Sequence, residues 1–99
     1  RQAEMDSLAD GFLVLPGGFG TLEEALEVMT LKQLGYHSKP IVFLNIRNFF
    51  SPLLDLFEGF YRERFAKEEY RRLYAVFTDS ESLFTYLKSY VPEVLPQKW

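Results

Sequence analysis

The sequence contains no cysteine and only one histidine, His37, among its 99 residues. The lack of cysteine excludes disulfide bonds, thiolate catalysis and thiolate zinc sites, and it fits a reducing cytoplasm. One histidine does not make a metal site by itself, and His37 follows Gly35 in a loop, so we interpret it as a loop-packing residue rather than a general base. We therefore expect a cytoplasmic protein that uses no metal and no cofactor.

The sequence also lacks an excess of positive charge and any long apolar run. A formal net charge of -3 gives no general attraction to nucleic acids or to anionic membranes. No apolar run approaches the roughly 18 residues of a membrane-spanning helix. Disorder is excluded as well, because 47% of the residues are hydrophobic and 17% are aromatic. These observations predict one small domain with a small-molecule partner, and neither a nucleic-acid nor a membrane partner.

Short apolar runs alternate with helical patterns along the chain. Residues 12–15, 41–44 and 74–77 are apolar runs typical of buried strands. Apolar spacing predicts helices from residue 21 to about 35, over 51–65 and from 78 to the proline at 92, with a short surface helix at 67–72. Residues 1–9 look like the end of a further helix, and the chain starts without Met. The order of strands and helices predicts an α/β fold built from parallel β-α-β units.

Capping residues predict where three of these helices begin. A side-chain oxygen at the N-cap accepts a hydrogen bond from an N–H of the first turn, and a Glu three residues later completes a capping box. The predicted pairs are Thr21 with Glu24, Ser51 with the first-turn Pro52, and Thr78 with Glu81.

The most distinctive segment is LPGGFGTLEE, residues 15–24, at the carboxyl end of the first predicted strand. One glycine is enough for a turn, whereas Gly17, Gly18 and Gly20 together let backbone amides approach a ligand closely. Since ligands bind beyond the carboxyl ends of strands in such sheets, the loop is a candidate phosphate cradle at a helix N-terminus. It is neither a P-loop, which requires a Lys, nor a GxGxxG loop, because Glu23 occupies the position of the third glycine.

A carboxylate, Glu24, follows this cradle by one helical turn. Beside an anion site it would be repelled unless it acts on a developing positive charge. Cleavage of the N-glycosidic bond of a nucleoside monophosphate fits, because the ribosyl group becomes oxocarbenium-like and a carboxylate can stabilise that cation or activate water. Capping alone remains an alternative explanation of Glu24.

The segment from Pro16 to Glu24 resembles the PGGxGTxxE motif of the lonely-guy (LOG) proteins, cytokinin riboside 5'-monophosphate phosphoribohydrolases often labelled "possible lysine decarboxylase". Residues 1–5 resemble the end of the family's MHxRKxxM segment, with Gln2 in place of Lys, and residues 33–45 resemble its QLGxHxKPxxxLN stretch. The resemblance implies a Rossmann-like α/β domain, of which residues 1–99 would be the carboxyl-terminal part. It also implies a homodimer with its sites at the interface.

Carried over to this sequence, the resemblance implies that Arg1 and Glu24 are the catalytic pair and that the substrate phosphate binds Gly17, Gly18, Gly20 and Thr21. The implied reaction hydrolyses a cytokinin ribotide or AMP to free base and ribose 5-phosphate. Lysine decarboxylation is disfavoured, because nothing here resembles a pyridoxal-phosphate site.

Two functions of other classes stay open at this point. One is a carrier that binds a phosphorylated ligand without chemistry, as in the similar molybdenum-cofactor carriers. The other is an inactive fragment that only dimerises.

Overall fold

The computed structural model describes residues 5–8 and 11–92, which form a four-stranded sheet with flanking helices. The strands are β1 (Met5–Leu8), β2 (Gly11–Val14), β3 (Ile41–Leu44) and β4 (Ala75–Phe77). The helices are α1 (Phe19–Gln33), α2 (Ser51–Arg62) and α3 (Ser80–Ser89). Two short 3-10 segments lie at Ile46–Asn48 and Glu68–Leu73. None of the helices in these described ranges is long and apolar enough to cross a bilayer.

The strand order is β1-β2-β3-β4, and β2, β3 and β4 are parallel to each other. This confirms the predicted α/β fold and its β-α-β units. The predicted helix end at the start of the chain is wrong over residues 5–8, which form β1 antiparallel to β2. Leu8 pairs with Gly11, so only two residues separate these strands, a spacing that suits a hairpin and leaves no room for a helix turn.

The main core lies on one face of the sheet, between the strands and the helices α1 and α2. Phe43 of β3 is fully buried there, with Ala25 of α1 and Phe57 of α2 in the same cluster. Val42 points to the opposite face because side chains alternate along a strand. On that face α3 contacts β3 and β4, and its Leu83 is only 1% exposed.

The predicted caps of α2 and α3 differ from the structure. Helix α2 has Phe50 at its N-cap, so Ser51 is the first helical residue and caps nothing with its side chain, although Pro52 does lie in the first turn. Helix α3 is capped by Asp79, whose carboxylate accepts a hydrogen bond of 2.7 Å from the Ser82 N–H. A carboxylate beside the positive helix end outcompetes the neighbouring Thr78 hydroxyl, since a charge-assisted bond is stronger.

The predicted short helix at 67–72 is confirmed as the 3-10 segment Glu68–Leu73, but it is not wholly on the surface. Its Tyr70 and the following Leu73 are 3% and 5% exposed and belong to the main core. The charged residues therefore form the outer side of a segment that packs against α1.

This topology places the N-termini of all three helices at one edge of the sheet. The parallel strands β2, β3 and β4 end at that edge, and each is followed by a helix. The glycine loop follows β2 and residues 45–50 follow β3, so the two loops lie side by side at the edge where α/β sheets bind ligands.

Candidate functional site

Helix α1 begins directly in the glycine loop. Gly18 is the N-cap, Phe19 is the first helical residue, and the first helical hydrogen bond runs from the Leu22 N–H to the Gly18 carbonyl at 3.1 Å. Within the described residues no side chain caps this helix. Its first-turn N–H groups and the positive end of its dipole are therefore available to an anion.

Thr21 does not cap α1, contrary to the prediction that it forms a capping box with Glu24. The N-cap is Gly18, three residues before the predicted one, so the Thr21 side chain lies inside the first turn. Thr21 is only 2% exposed, and its Oγ1 has no hydrogen-bond partner among the described residues. Because buried hydroxyls are nearly always paired, this oxygen is a candidate donor to a ligand.

A cavity of about 340 Å³ lies beside Thr21 at the carboxyl edge of the sheet. Its floor is formed by Val14 and Phe43, at the ends of β2 and β3. The glycine loop and the first turns of α1 form one wall, and the start of α2 forms the other. The lining residues on these two walls are Gly17, Gly18, Phe19, Thr21, Leu22 and Ala25, and Phe49, Phe50, Pro52 and Leu53.

Gly18 leaves room for a ligand next to this cavity. A Cβ built at Gly18 would meet no described atom within 4 Å, and its φ of -109° lies outside the left-handed region. Crowding by described atoms therefore does not explain why this residue is glycine. The open space is compatible with close approach of a ligand to the backbone.

The structure brings together only part of the predicted site. Gly17, Gly18 and Thr21 line the cavity, and Gly20 lies in the first turn of α1 without lining it. Glu24 is half-buried one turn further along, with its Oε1 buried, but it does not line the cavity. Arg1 lies outside the described residues, so its distance from Glu24 is not defined by the structure.

Sequence reasoning missed the second wall of the cavity. Phe49 and Phe50 belong to none of the sequence motifs above, yet both line the cavity, and Phe49 is 49% exposed. Their position just after the second predicted strand was the available signal, because loops at the carboxyl ends of parallel strands surround the ligand.

His37 is used for packing, as predicted. Its Nε2 lies 3.0 Å from the Val28 carbonyl, and its Nδ1 accepts a hydrogen bond of 3.1 Å from the Lys39 N–H. The ring also packs edge-on against Phe12. Both ring nitrogens are thus engaged by the backbone, which leaves neither for proton transfer to a ligand. Across residues 5–8 and 11–92 no group of three or more His, Cys, Asp or Glu side chains is placed to hold a metal ion.

Comparison with known proteins identifies relatives of the chain. The sequence profile of the family described as "possible lysine decarboxylase" matches residues 1–87. A cytokinin riboside 5'-monophosphate phosphoribohydrolase of Oryza sativa subsp. japonica is 45% identical over 93 residues, which cover 94% of this chain and 38% of the relative. An enzyme of the same name from Arabidopsis thaliana is 42% identical, with 94% and 44% covered.

The chain thus spans less than half of the length of these curated relatives, 38% and 44%. The matched region contains the glycine loop, Thr21 and Glu24, as well as strands β2 to β4. Since the family profile covers residues 1–87 of 99, the chain belongs to the family described as "possible lysine decarboxylase", that of the LOG proteins.

Proposed function

We propose that the protein carrying this chain hydrolyses the N-glycosidic bond of a nucleoside 5'-monophosphate, a cytokinin ribotide or AMP, to give the free base and ribose 5-phosphate. The observation that carries the proposal is the buried Thr21 hydroxyl, which lines a cavity at an uncapped helix N-terminus. The names of the relatives, cytokinin riboside 5'-monophosphate phosphoribohydrolases, supply the reaction.

The substrate phosphate binds at the start of α1 in this proposal. The first-turn N–H groups donate to phosphate oxygens, and the Thr21 hydroxyl donates a further hydrogen bond. Gly17 and Gly18 allow the backbone to approach, and Gly20 continues the same turn. The phosphate then fixes the ribose close to the helix end, which positions the glycosidic bond for cleavage.

Glu24 acts on the ribosyl group in this proposal. As the bond between C1' and the base nitrogen breaks, positive charge develops on the ribose, and a carboxylate stabilises it or takes a proton from the attacking water. Arg1 is proposed as the second member of the pair, because a guanidinium stays charged and binds phosphate bidentately. The water oxygen ends on C1', and the base leaves with a proton, so the reaction needs no cofactor.

A second function is favoured by one observation. Glu24 does not line the cavity, so the site around Thr21 is built for binding without an adjacent carboxylate. A carrier for a phosphorylated ligand, such as the molybdenum cofactor, would use the same loop and would not cleave the ligand.

We also propose that the protein is a cytoplasmic homodimer. Leu26 and Leu31 of α1 are 38% and 37% exposed, and Phe19 beside the cavity is 92% exposed. Apolar side chains at the mouth of a site are typical of surfaces that another subunit covers. The lack of cysteine supports the cytoplasmic assignment.

The test incubates the full-length protein with AMP and with isopentenyladenosine monophosphate and measures free base. Glu24→Ala should lower base release by about 100-fold or more, the usual loss when a group that stabilises transition-state charge is removed. Glu23→Ala is the matched control, because Glu23 is the exposed neighbour on the same helix and should leave the rate unchanged.

The outcomes separate the candidate functions. Equal base release by the Glu24→Ala and unsubstituted proteins would remove Glu24 from the mechanism. No release from either protein, together with binding of ribose 5-phosphate in a calorimetric titration, would instead support the carrier.

A further inference from the structure

The loop that follows β3 contains two consecutive residues with left-handed backbone conformations. Arg47 has φ 55° and Asn48 has φ 58°, in the left-handed region, which Asn tolerates but Arg seldom adopts. Such conformations persist only where the surrounding structure imposes them, and they concentrate at ligand-binding sites. The backbone conformation of Arg47 therefore makes this loop a candidate for ligand binding.

Asn45 imposes this conformation from the base of the loop. It is 8% exposed, and its backbone N–H donates to the Phe77 carbonyl at 2.8 Å. Its Oδ1 accepts from the Phe50 N–H at 2.8 Å, and its Nδ2 donates to the Ser51 Oγ at 3.2 Å. The side chain thus ties the end of β3 to the start of α2, so residues 46–49 form a short arc with fixed ends.

The arc borders the cavity beside the glycine loop. Phe43 before it forms part of the cavity floor, and Phe49 and Phe50 at its far end form the wall opposite Thr21. Arg47 lies two residues before Phe49 and is exposed. It forms no ion pair or side-chain hydrogen bond with any described residue, unlike Arg71, whose guanidinium is bound to Glu58.

The residues that line the cavity do not supply enough positive charge to neutralise a phosphate monoester. None of the described residues that line the cavity is basic. A phosphate monoester carries about 1.5 to 2 negative charges at neutral pH, more than a helix dipole of about half a charge offsets. Arg47 does not itself line the cavity, but it is the one basic residue of the arc 46–49, whose Phe49 does.

We infer that Arg47 binds the phosphate of the substrate from the side opposite Thr21, so that the phosphate is held between the α1 N-terminus and the loop after β3. This inference rests on the proposed function for the presence of a phosphate monoester. A guanidinium suits the task, because it donates two parallel hydrogen bonds to phosphate oxygens. The fixed arc limits the motion of Arg47 and lowers the entropy lost on binding.

The test titrates ribose 5-phosphate into the full-length protein and its variants by calorimetry. Arg47→Ala should weaken binding by about tenfold or more and reduce its dependence on salt, as expected when a charged hydrogen bond is lost. Arg47→Lys should retain part of the affinity. Arg64→Ala is the matched control, because Arg64 is also exposed and also has a positive φ of 65°, but lies beyond the opposite end of α2.

A further variant separates binding from folding. Arg47→Gly should melt at a higher temperature than the unsubstituted protein, since glycine adopts this conformation freely, and yet bind ribose 5-phosphate as weakly as Arg47→Ala. Equal affinity of the Arg47→Ala and unsubstituted proteins would overturn the role of Arg47 and leave the phosphate site intact. No binding by the unsubstituted protein would overturn the phosphate site and Arg47 together.

Discussion

Thr21 shows how a single buried oxygen can connect fold and function. Its hydroxyl is taken out of water by the packing of α1 on the sheet, yet it has no partner among the described residues. Leaving a buried polar group unpaired costs about 1 to 3 kcal/mol. A phosphate that accepts a hydrogen bond from the Thr21 hydroxyl would remove this cost.

Thr21→Val tests this interpretation, because valine has nearly the shape of threonine without the hydroxyl. We expect the free energy of unfolding of the empty protein to rise by about 1 kcal/mol and ribose 5-phosphate binding to weaken. Urea unfolding and calorimetry measure the two effects. Thr30→Val is the control, since Thr30 is exposed on the same helix and its hydroxyl donates to the Leu26 carbonyl at 2.8 Å. A loss of stability in Thr21→Val would show that the hydroxyl has a structural role instead.

One part of the candidate site could be predicted from the sequence at the residue scale. Gly17, Gly18 and Thr21 were assigned to a phosphate cradle, and all three line the cavity. The start of α1 could not be predicted to the residue, because Gly18 and Thr21 are both acceptable N-caps and lie one turn apart. The left-handed backbone conformation of Arg47 could not be predicted from the sequence either. It depends on hydrogen bonds of Asn45 that form only in the folded chain.

The bounds of secondary structure elements agree with the sequence prediction where the local apolar pattern and the tertiary packing favour the same structure. Strand β3 has the predicted bounds, Ile41–Leu44, because a run of apolar residues between a proline and an asparagine is buried on both faces. Strand β1 was missed, since its pairing with β2 is a tertiary interaction. The caps of α2 and α3 were missed because a cap depends on the backbone angles of one residue.

An ion pair joins two of these elements and makes the stability of the protein depend on pH. Arg71 in the 3-10 segment at Glu68–Leu73 binds Glu58 of α2, with its Nη2 at 2.6 Å from Oε1 and its Nε at 3.1 Å from both carboxylate oxygens. The guanidinium also lies over the Tyr61 ring at 4.6 Å. The hydrogen bonds to Arg71 lower the pKa of Glu58 below its ordinary value.

Glu58→Gln tests the contribution of this pair. A lowered pKa in the folded state stabilises the protein above the pKa of the unfolded state, and that stabilisation is lost as the pH falls through the folded pKa. The free energy of unfolding, measured with urea from pH 7 down to pH 3, should therefore fall less steeply in Glu58→Gln than in the unsubstituted protein. Asp55→Asn, an exposed change on the same helix, should keep most of the slope. Parallel pH curves for Glu58→Gln and the unsubstituted protein would contradict the role of the pair.

Across the whole molecule, apolar surface is distributed unevenly. The described chain buries its core between the sheet and the helices α1 and α2, and yet several large side chains remain open to water. Phe19 and Phe49 lie at the mouth of the cavity, and Phe84 of α3 lies on the other face of the sheet with 51% exposure. Association with another copy through Phe19 and Phe49 would also shield a bound ligand from water.

This position makes Phe19 the residue with which to test the proposed dimer. A symmetric interface contains each residue twice, and removing a buried Phe costs about 1.5 to 3 kcal/mol per copy. Phe19→Ser should therefore weaken dimerisation by about 100-fold or more. Sedimentation equilibrium of the full-length protein measures the change, and Phe84→Ser, a similar exposed position on the opposite face, should leave the dimer intact. If Phe19 lies in the interface, dilution to the monomer should also lower the affinity for ribose 5-phosphate. An unchanged dimerisation constant in Phe19→Ser would place the interface elsewhere on the protein.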